Sequence, residues 1–156
     1  MKLRNPALVF SVITILLVSS IVVILFAGMA DDDSINFYVF GDSQGYQGGV
    51  ERIVTAANLH RPDFIFHCGD LTPFGQENQY QAVKAVLDQS IVPVYTTIGN
   101  HDIKDGGDVL YEEYFGTSRY SFDFGRAHFA VFNTSSDDIS SQEFSWLEQD
   151  LSQTEA

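Results

Sequence analysis

The stretch Thr97-Ile98-Gly99-Asn100-His101-Asp102 decides the fold that this sequence predicts. It closes an apolar run, residues 91–95, whose β-branched and aromatic side chains indicate a buried strand. Two earlier runs end in the same way, since residues 37–40 lead into Gly41-Asp42-Ser43-Gln44 and residues 64–68 lead into Gly69-Asp70. The sequence therefore predicts three strands, each followed by glycine and then by a candidate metal ligand, at Asp42, Asp70 and Asn100.

The spacing of these motifs predicts the parallel sheet of an α/β domain. Asp42, Asp70 and Asn100 follow one another at intervals of 28 and 30 residues, about the length of a strand–helix–strand unit. Two connecting helices are predicted by apolar residues at helical spacing, which are Val50, Ile53, Val54 and Ala57, and then Tyr80, Val83 and Leu87. Because ligands bind beyond the carboxyl ends of parallel strands, we expect Asp42, Asp70, Asn100 and His101 at one rim.

The chain after the third motif predicts mixed structure. Residues 104–108 form a turn cluster, and residues 109–115 predict a short helix or an irregular lid. Residues 120–124 and 127–132 predict an antiparallel hairpin. A capping-box pattern at residues 140–143 begins a helix whose apolar stripe is Phe144, Leu147 and Leu151. His67 and His128 fall inside predicted strands, where we expect structural roles.

The N-terminal part predicts a membrane segment. Residues 6–30 contain no charged residue, and about 20 apolar residues span a bilayer. Lys2 and Arg4 precede this run, so the positive-inside tendency places the N-terminus in the cytoplasm. We expect residues 1–30 to be an anchor that contacts the membrane through residues 7–29, residues 31–36 a linker, and residues 37–156 an extracytoplasmic domain. A cleaved signal peptide, with the domain secreted, and a buried soluble helix are the alternatives.

The charge of the chain argues against nucleic-acid binding, and its cysteine content excludes an intrachain disulfide. The chain has 21 acidic and 8 basic residues, a formal net charge of −13, and every acidic residue follows residue 30. Sequence-independent nucleic-acid binding needs a basic patch, so we expect no such partner. The single cysteine, Cys68, excludes an intrachain disulfide.

The three motifs read G-D-S-Q, G-D-L-T-P and G-N-H-D, and in that order they resemble the pattern of the calcineurin-like metallophosphoesterases. The resemblance covers roughly residues 36–154. It implies an αββα sandwich of two packed sheets and two divalent metal ions, which could be Mn, Fe or Zn. It also implies hydrolysis of a phosphomonoester or phosphodiester by metal-activated water. A phosphate ester is then the expected substrate.

The resemblance also implies a role for each motif residue. Asp70 resembles the carboxylate that bridges both metals, and Asp42 resembles a ligand of the first metal. Asn100 resembles a ligand of the second metal through its amide oxygen. His101 is similar to the non-ligating histidine that stabilises the transition state or protonates the leaving oxygen. Asp102 would then orient the His101 ring.

The sequence departs from the family pattern in three places. Gln44 stands where the first histidine ligand is expected, and a glutamine oxygen makes Mn²⁺ more plausible than zinc or iron as the first metal. Pro73 replaces the second aspartate of G-D-x-x-D. The late histidine and the G-H-x-H motif are absent, because no histidine follows His128. We therefore expect a sandwich that is incomplete at its C-terminus, with the missing ligands supplied by a C-terminal remainder or a partner chain.

Two alternatives remain open from the sequence. One is a non-catalytic, membrane-anchored fragment or binding module that retains half of the metal site. The other is a receiver-like doubly wound signalling domain, which also places acidic residues at strand ends.

Overall fold

A computed structural model of the protein describes residues 34–136 and 139–154. Its elements, in chain order, are β1 (Phe37–Phe40), α1 (Gln47–His60), β2 (Phe64–His67), α2 (Glu77–Leu87), β3 (Val94–Thr96), a 3₁₀ turn (Lys104–Gly106), α3 (Gly107–Phe115), β4 (Tyr120–Phe124), β5 (Ala127–Val131) and α4 (Ser141–Ser152). The anchor predicted over residues 7–29 lies outside the described residues and stays a prediction. Within the described ranges, no helix has both the length and the apolar character needed to cross a membrane.

The first three strands form the predicted parallel sheet. Its order is β1-β2-β3, and Tyr38 pairs with Ile65, which pairs with Val94. Strand β3 is shorter than the predicted run because its first residues are turned out of the ladder. The Ser90 hydroxyl donates to the Val92 carbonyl at 2.8 Å, and Pro93 has no amide proton to pair.

Helices cover one face of this sheet and bury the predicted stripes. The shared core is made by Val50, Val54 and Ala57 of α1, Ile65 of β2, Tyr80, Val83, Val86 and Leu87 of α2, and Tyr111 of α3. Residues 109–115, for which a short helix or an irregular lid was predicted, lie within helix α3. This packing fixes the directions in which the three strand ends leave the sheet.

An aromatic layer covers the other face. Phe64 is fully buried, and its ring lies 5.7 Å from the ring of Phe122 and 5.3 Å from that of Phe129. Tyr95 stacks on Phe122 with ring centroids 3.8 Å apart. Phe122 and Phe129 are paired across the antiparallel hairpin β4–β5, as predicted. The hairpin is therefore a second sheet layer that packs on the first.

Helix α4 lies on the outer face of the hairpin. The Ser121 hydroxyl donates to Asp150 of α4 at 2.6 Å, and Nε2 of His128 lies 2.8 Å from the same carboxylate. The layers therefore run helices, sheet, hairpin, helix, which is the α-β-β-α order that the resemblance implied. The predicted helix is present, but two residues of its apolar stripe are not buried, since Phe144 is 53% and Leu151 54% exposed. The outer face of the hairpin is polar, so α4 contacts it through polar side chains.

Candidate metal centre

The loops that follow β1 and β2 run side by side at the rim of the sheet. The amide of Asp42 donates to the carbonyl of Gly69 at 3.0 Å, and the amide of Gln44 donates to the carbonyl of Asp70 at 2.8 Å. These bonds continue the parallel ladder past the strand ends. They bring the first two motifs together, as the sequence predicted.

Three candidate ligands have left-handed backbone conformations. The φ angles are 52° at Asp42, 40° at Gln44 and 54° at Asp70. For residues other than glycine this region costs about 1–3 kcal/mol each and persists only where surrounding contacts enforce it. Such strain concentrates at functional sites, so its appearance at three predicted ligands supports a functional role for the rim.

Asp70 lies at the centre of the site. Its side chain is nearly buried, and Oδ1 accepts a hydrogen bond from the backbone amide of His101 at 2.9 Å. The side-chain amide nitrogen of Gln44, Nε2, lies 3.4 Å from Oδ2 of Asp70. Asp70 therefore joins the first motif to the third. For Gln44 to act as a ligand its side-chain amide must turn over so that its oxygen faces the metal.

The glycines of the second and third motifs make this convergence possible. A Cβ atom at Gly99 would overlap the amide nitrogen and the carboxylate of Asp70. Gly69 has a φ of +89°, and a Cβ there would lie 3.0 Å from the Cα of Gly99. Only glycine fits both positions, which explains why Asp70 and Asn100 each follow one.

Asp102 does not orient the His101 ring, contrary to the expectation from the resemblance. The carboxylate is fully buried and accepts four hydrogen bonds. Leu71 N and Gly99 N donate to Oδ2 at 3.1 and 2.9 Å, and Thr72 N and Oγ1 donate to Oδ1 at 2.8 and 2.9 Å. Burial raises the pKa of the Asp102 carboxyl, while the hydrogen bonds act against that rise. Asp102 thus ties the second motif loop to the third.

The ring of His101 has other partners. Its Nδ1 lies 3.0 Å from the carbonyl oxygen of Pro73 and 2.8 Å from Nζ of Lys104. Sequence reasoning placed Lys104 only in a turn and missed this contact. The signal was its position three residues after His101, because short 3₁₀-type turns bring side chains i and i+3 together.

His67 lies directly beneath the first motif. The side chain is fully buried, and Nε2 lies 3.0 Å from the Ser43 hydroxyl, between Asp42 and Gln44 in the sequence. Its Nδ1 has no hydrogen-bond partner among the described residues. Burial lowers the pKa of His67 to about 4, although the charge of Asp70 opposes this shift. A neutral His67 therefore supports the strained loop from below.

The predicted ligands at the rim are oxygen donors, the ligand type that hard divalent cations bind. Asp42, Gln44 and Asn100 are exposed there, beside the buried Asp70. Two carboxylates and two amide oxygens are the ligand types that Mg²⁺ and Mn²⁺ prefer, whereas zinc favours nitrogen and sulfur. In the part of the chain that the structure describes, no three His, Cys, Asp or Glu side chains are placed to hold a metal ion. The predicted set, with two carboxylates, does not require such a trio.

Comparison with known proteins agrees with this geometry. Residues 35–150 match the family model of the calcineurin-like phosphoesterases. No curated protein matches the chain. Among solved structures the chain is similar to the purple acid phosphatase PPD1 from yellow lupin (Lupinus luteus) seeds, with a TM-score of 0.62 and 21% identity. The match covers 76% of this chain but 28% of the lupin protein, so this chain spans little more than a quarter of that length. The likeness to the lupin protein shows the fold, and the family match over most of its length places this chain in the calcineurin-like phosphoesterase family.

Proposed function

We propose that this domain contributes a metal-dependent phosphoesterase site that hydrolyses a phosphomonoester or phosphodiester. The observation that carries the proposal is the convergence on Asp70. One nearly buried carboxylate contacts the first motif through Gln44 and the third through His101, next to two strained backbone positions at Asp42 and Gln44. Family membership supports phosphate ester chemistry.

Each residue has a role in this proposal. Asp70 and Asp42 would hold a divalent ion with the amide oxygens of Gln44 and Asn100. The bound ion would supply a Lewis acid and a water of lowered pKa. Nδ1 of His101 is engaged by Pro73 and Lys104, so Nε2 is the nitrogen that remains for a phosphate oxygen or the leaving oxygen. A second ion, as the two-metal mechanism requires, needs ligands beyond these four.

The proposal is tested by titrating the full chain with Mn²⁺ in a calorimeter and by assaying p-nitrophenyl phosphate and bis-p-nitrophenyl phosphate. We expect Mn²⁺ binding that Asp70→Asn weakens at least tenfold, with loss of any turnover. Asp105→Asn is the matched control, because Asp105 is exposed and its φ of 53° suits asparagine. Equal Mn²⁺ affinity in the unchanged chain and Asp70→Asn would refute the site.

A second candidate is a binding module that keeps half of the metal site without catalysis. The four described oxygen donors suffice for one ion, whereas the two-metal mechanism needs a second, and this favours the binding module. Mn²⁺ binding that depends on Asp70, with no turnover of either ester, would identify this function. The receiver-like alternative is wrong, since the family match and the hairpin packed on the sheet contradict it.

A further inference from the structure

Lys104, His101 and Pro73 form a triangle of polar atoms beside the candidate metal centre. Nζ of Lys104 lies 2.8 Å from Nδ1 of His101 and 3.4 Å from the Pro73 carbonyl oxygen, and Nδ1 lies 3.0 Å from that same oxygen. Nζ also lies 5.4 Å from the centroid of the Phe74 ring, where a cation is attracted to the aromatic face. These contacts hold the Lys104 ammonium beside Nδ1 of His101.

Close packing of the turn fixes the position of the triangle. A Cβ atom at Gly75 would lie 2.5 Å from the carbonyl oxygen of Asp102 and 2.6 Å from that of Lys104. The Tyr80 hydroxyl donates to the Asp102 carbonyl at 2.9 Å from the buried face of α2. The turn that carries Lys104 is therefore packed closely against the second motif loop.

One tautomer of His101 directs both acceptors of the triangle, Nδ1 and the Pro73 carbonyl oxygen, at the Lys104 ammonium. If Nδ1 of His101 carried a proton, it could donate to Pro73, but an N–H would then face the Lys104 ammonium at 2.8 Å. If Nδ1 carries its lone pair, it accepts from Lys104, and the ammonium has further protons to donate toward Pro73. The second arrangement leaves no donor facing a donor, and its two acceptors, which lie 3.0 Å apart, both face the ammonium.

We propose that Lys104 is a positioning residue that selects the Nε2–H tautomer of the His101 ring. His101 then presents a hydrogen-bond donor at Nε2, suited to a phosphate oxygen or a leaving oxygen. The catalytic meaning of this donor rests on the proposed function, whereas the tautomer is a property of this chain alone.

The test is long-range ¹H–¹⁵N NMR of the metal-free full chain labelled in histidine, at a pH where the ring is neutral. His101→Gln identifies the signals of His101. We expect a protonated Nε2 and an unprotonated Nδ1 in the unchanged chain. Lys104→Met should move the proton to Nδ1, where it can donate to Pro73, and Lys104→Arg should restore the Nε2–H form because it keeps a donor.

Lys84→Met is the control, since Lys84 of α2 pairs with Asp88 just past the end of that helix, and its substitution leaves the triangle intact. A protonated Nδ1 in the unchanged chain, or the same tautomer in the unchanged chain and Lys104→Met, would overturn the inference.

The two proposals fail separately. A tautomer change without any ester hydrolysis removes the proposed function, whereas hydrolysis without a tautomer change removes only the role of Lys104. Where turnover is present, we expect Lys104→Met to lower kcat about tenfold with little change in KM, as for loss of a group that orients a proton donor.

Discussion

Replacing Asp102 with asparagine keeps the size of the side chain and exchanges one carboxylate oxygen for an amide NH₂ group. The remaining oxygen can accept from two of the present donors, which are either Leu71 N with Gly99 N or both donors of Thr72. The other two donors then face N–H groups in a fully buried site. The substitution therefore tests the hydrogen bonds that the Asp102 carboxylate accepts while it keeps the volume of the side chain.

The magnitude follows from the two unsatisfied donors. Each buried donor without a partner costs about 1–3 kcal/mol, so two such donors give a gross loss of about 2–6 kcal/mol. Removing a buried negative charge offsets part of this loss, because burial raises the pKa of Asp102. We expect the free energy of unfolding to fall by about 2–3 kcal/mol, a large share of the 5–15 kcal/mol typical of a domain.

Urea unfolding of the full chain, followed by tryptophan fluorescence, measures this change. Asp105→Asn is the matched control, because it makes the same substitution three residues away at an exposed position and should change stability by less than about 0.5 kcal/mol. If Asp102→Asn destabilises the protein no more than Asp105→Asn, the carboxylate is not the tie between the second and third motif loops.

Two further predictions concern the rim and the outer helix. Gly99→Ala places a Cβ against Asp70, so we expect about 1–3 kcal/mol lower stability in urea and loss of Mn²⁺ binding in calorimetry; unchanged binding would contradict the packing argument. His128 bonds Asp123 through Nδ1 and Asp150 through Nε2, which requires a protonated ring; these bonds raise the pKa of His128, and the His128 bond lowers that of Asp150. The bridge is fully formed below the ordinary histidine pKa of about 6.5, is lost as pH rises through the raised pKa of His128, and fails in acid below the lowered pKa of Asp150. Hydrogen exchange of α4 amides should therefore be slower at about pH 6 than at about pH 9 after correction for intrinsic rates, and His128→Gln should remove that difference; an equal difference in His128→Gln would refute the bridge.

The sheet could be predicted from sequence because its signals are local and repeated. Three apolar runs at even spacing, joined by helical stripes, are the pattern of strand–helix–strand units, and the hairpin has its own alternation. The stripe of α4 predicted the helix but not its burial, because periodicity indicates an apolar face and not what covers that face. Phe144 has helical spacing yet stays half exposed, since the surface beneath α4 carries Ser121 and His128.

The candidate site was harder to predict in its details than in its location. Motif order brought Asp70 and His101 to one rim, where the structure has them in contact. The partner of His101 could not be read from adjacency, because consecutive residues in a turn point in different directions. Asp102 follows His101 directly, but its carboxylate accepts from the amide of Gly99 and does not contact the ring. Lys104, one turn later, contacts Nδ1 of the His101 ring through Nζ.

The rim is organised by backbone features before any ion or substrate is considered. Asp42, Gln44 and Asp70 each adopt a costly left-handed conformation, and each is held by contacts outside itself. Ladder bonds that run past the strand ends hold the first two, and the His101 amide and the close approach of Gly99 hold the third. The loops therefore do not need a metal to bring them together, because the Asp102 tie and the glycine contact already do so. A site preorganised in this way loses little conformational entropy on binding, so removal of its ligands should affect metal affinity more than folding, whereas removal of Asp102 should affect folding first.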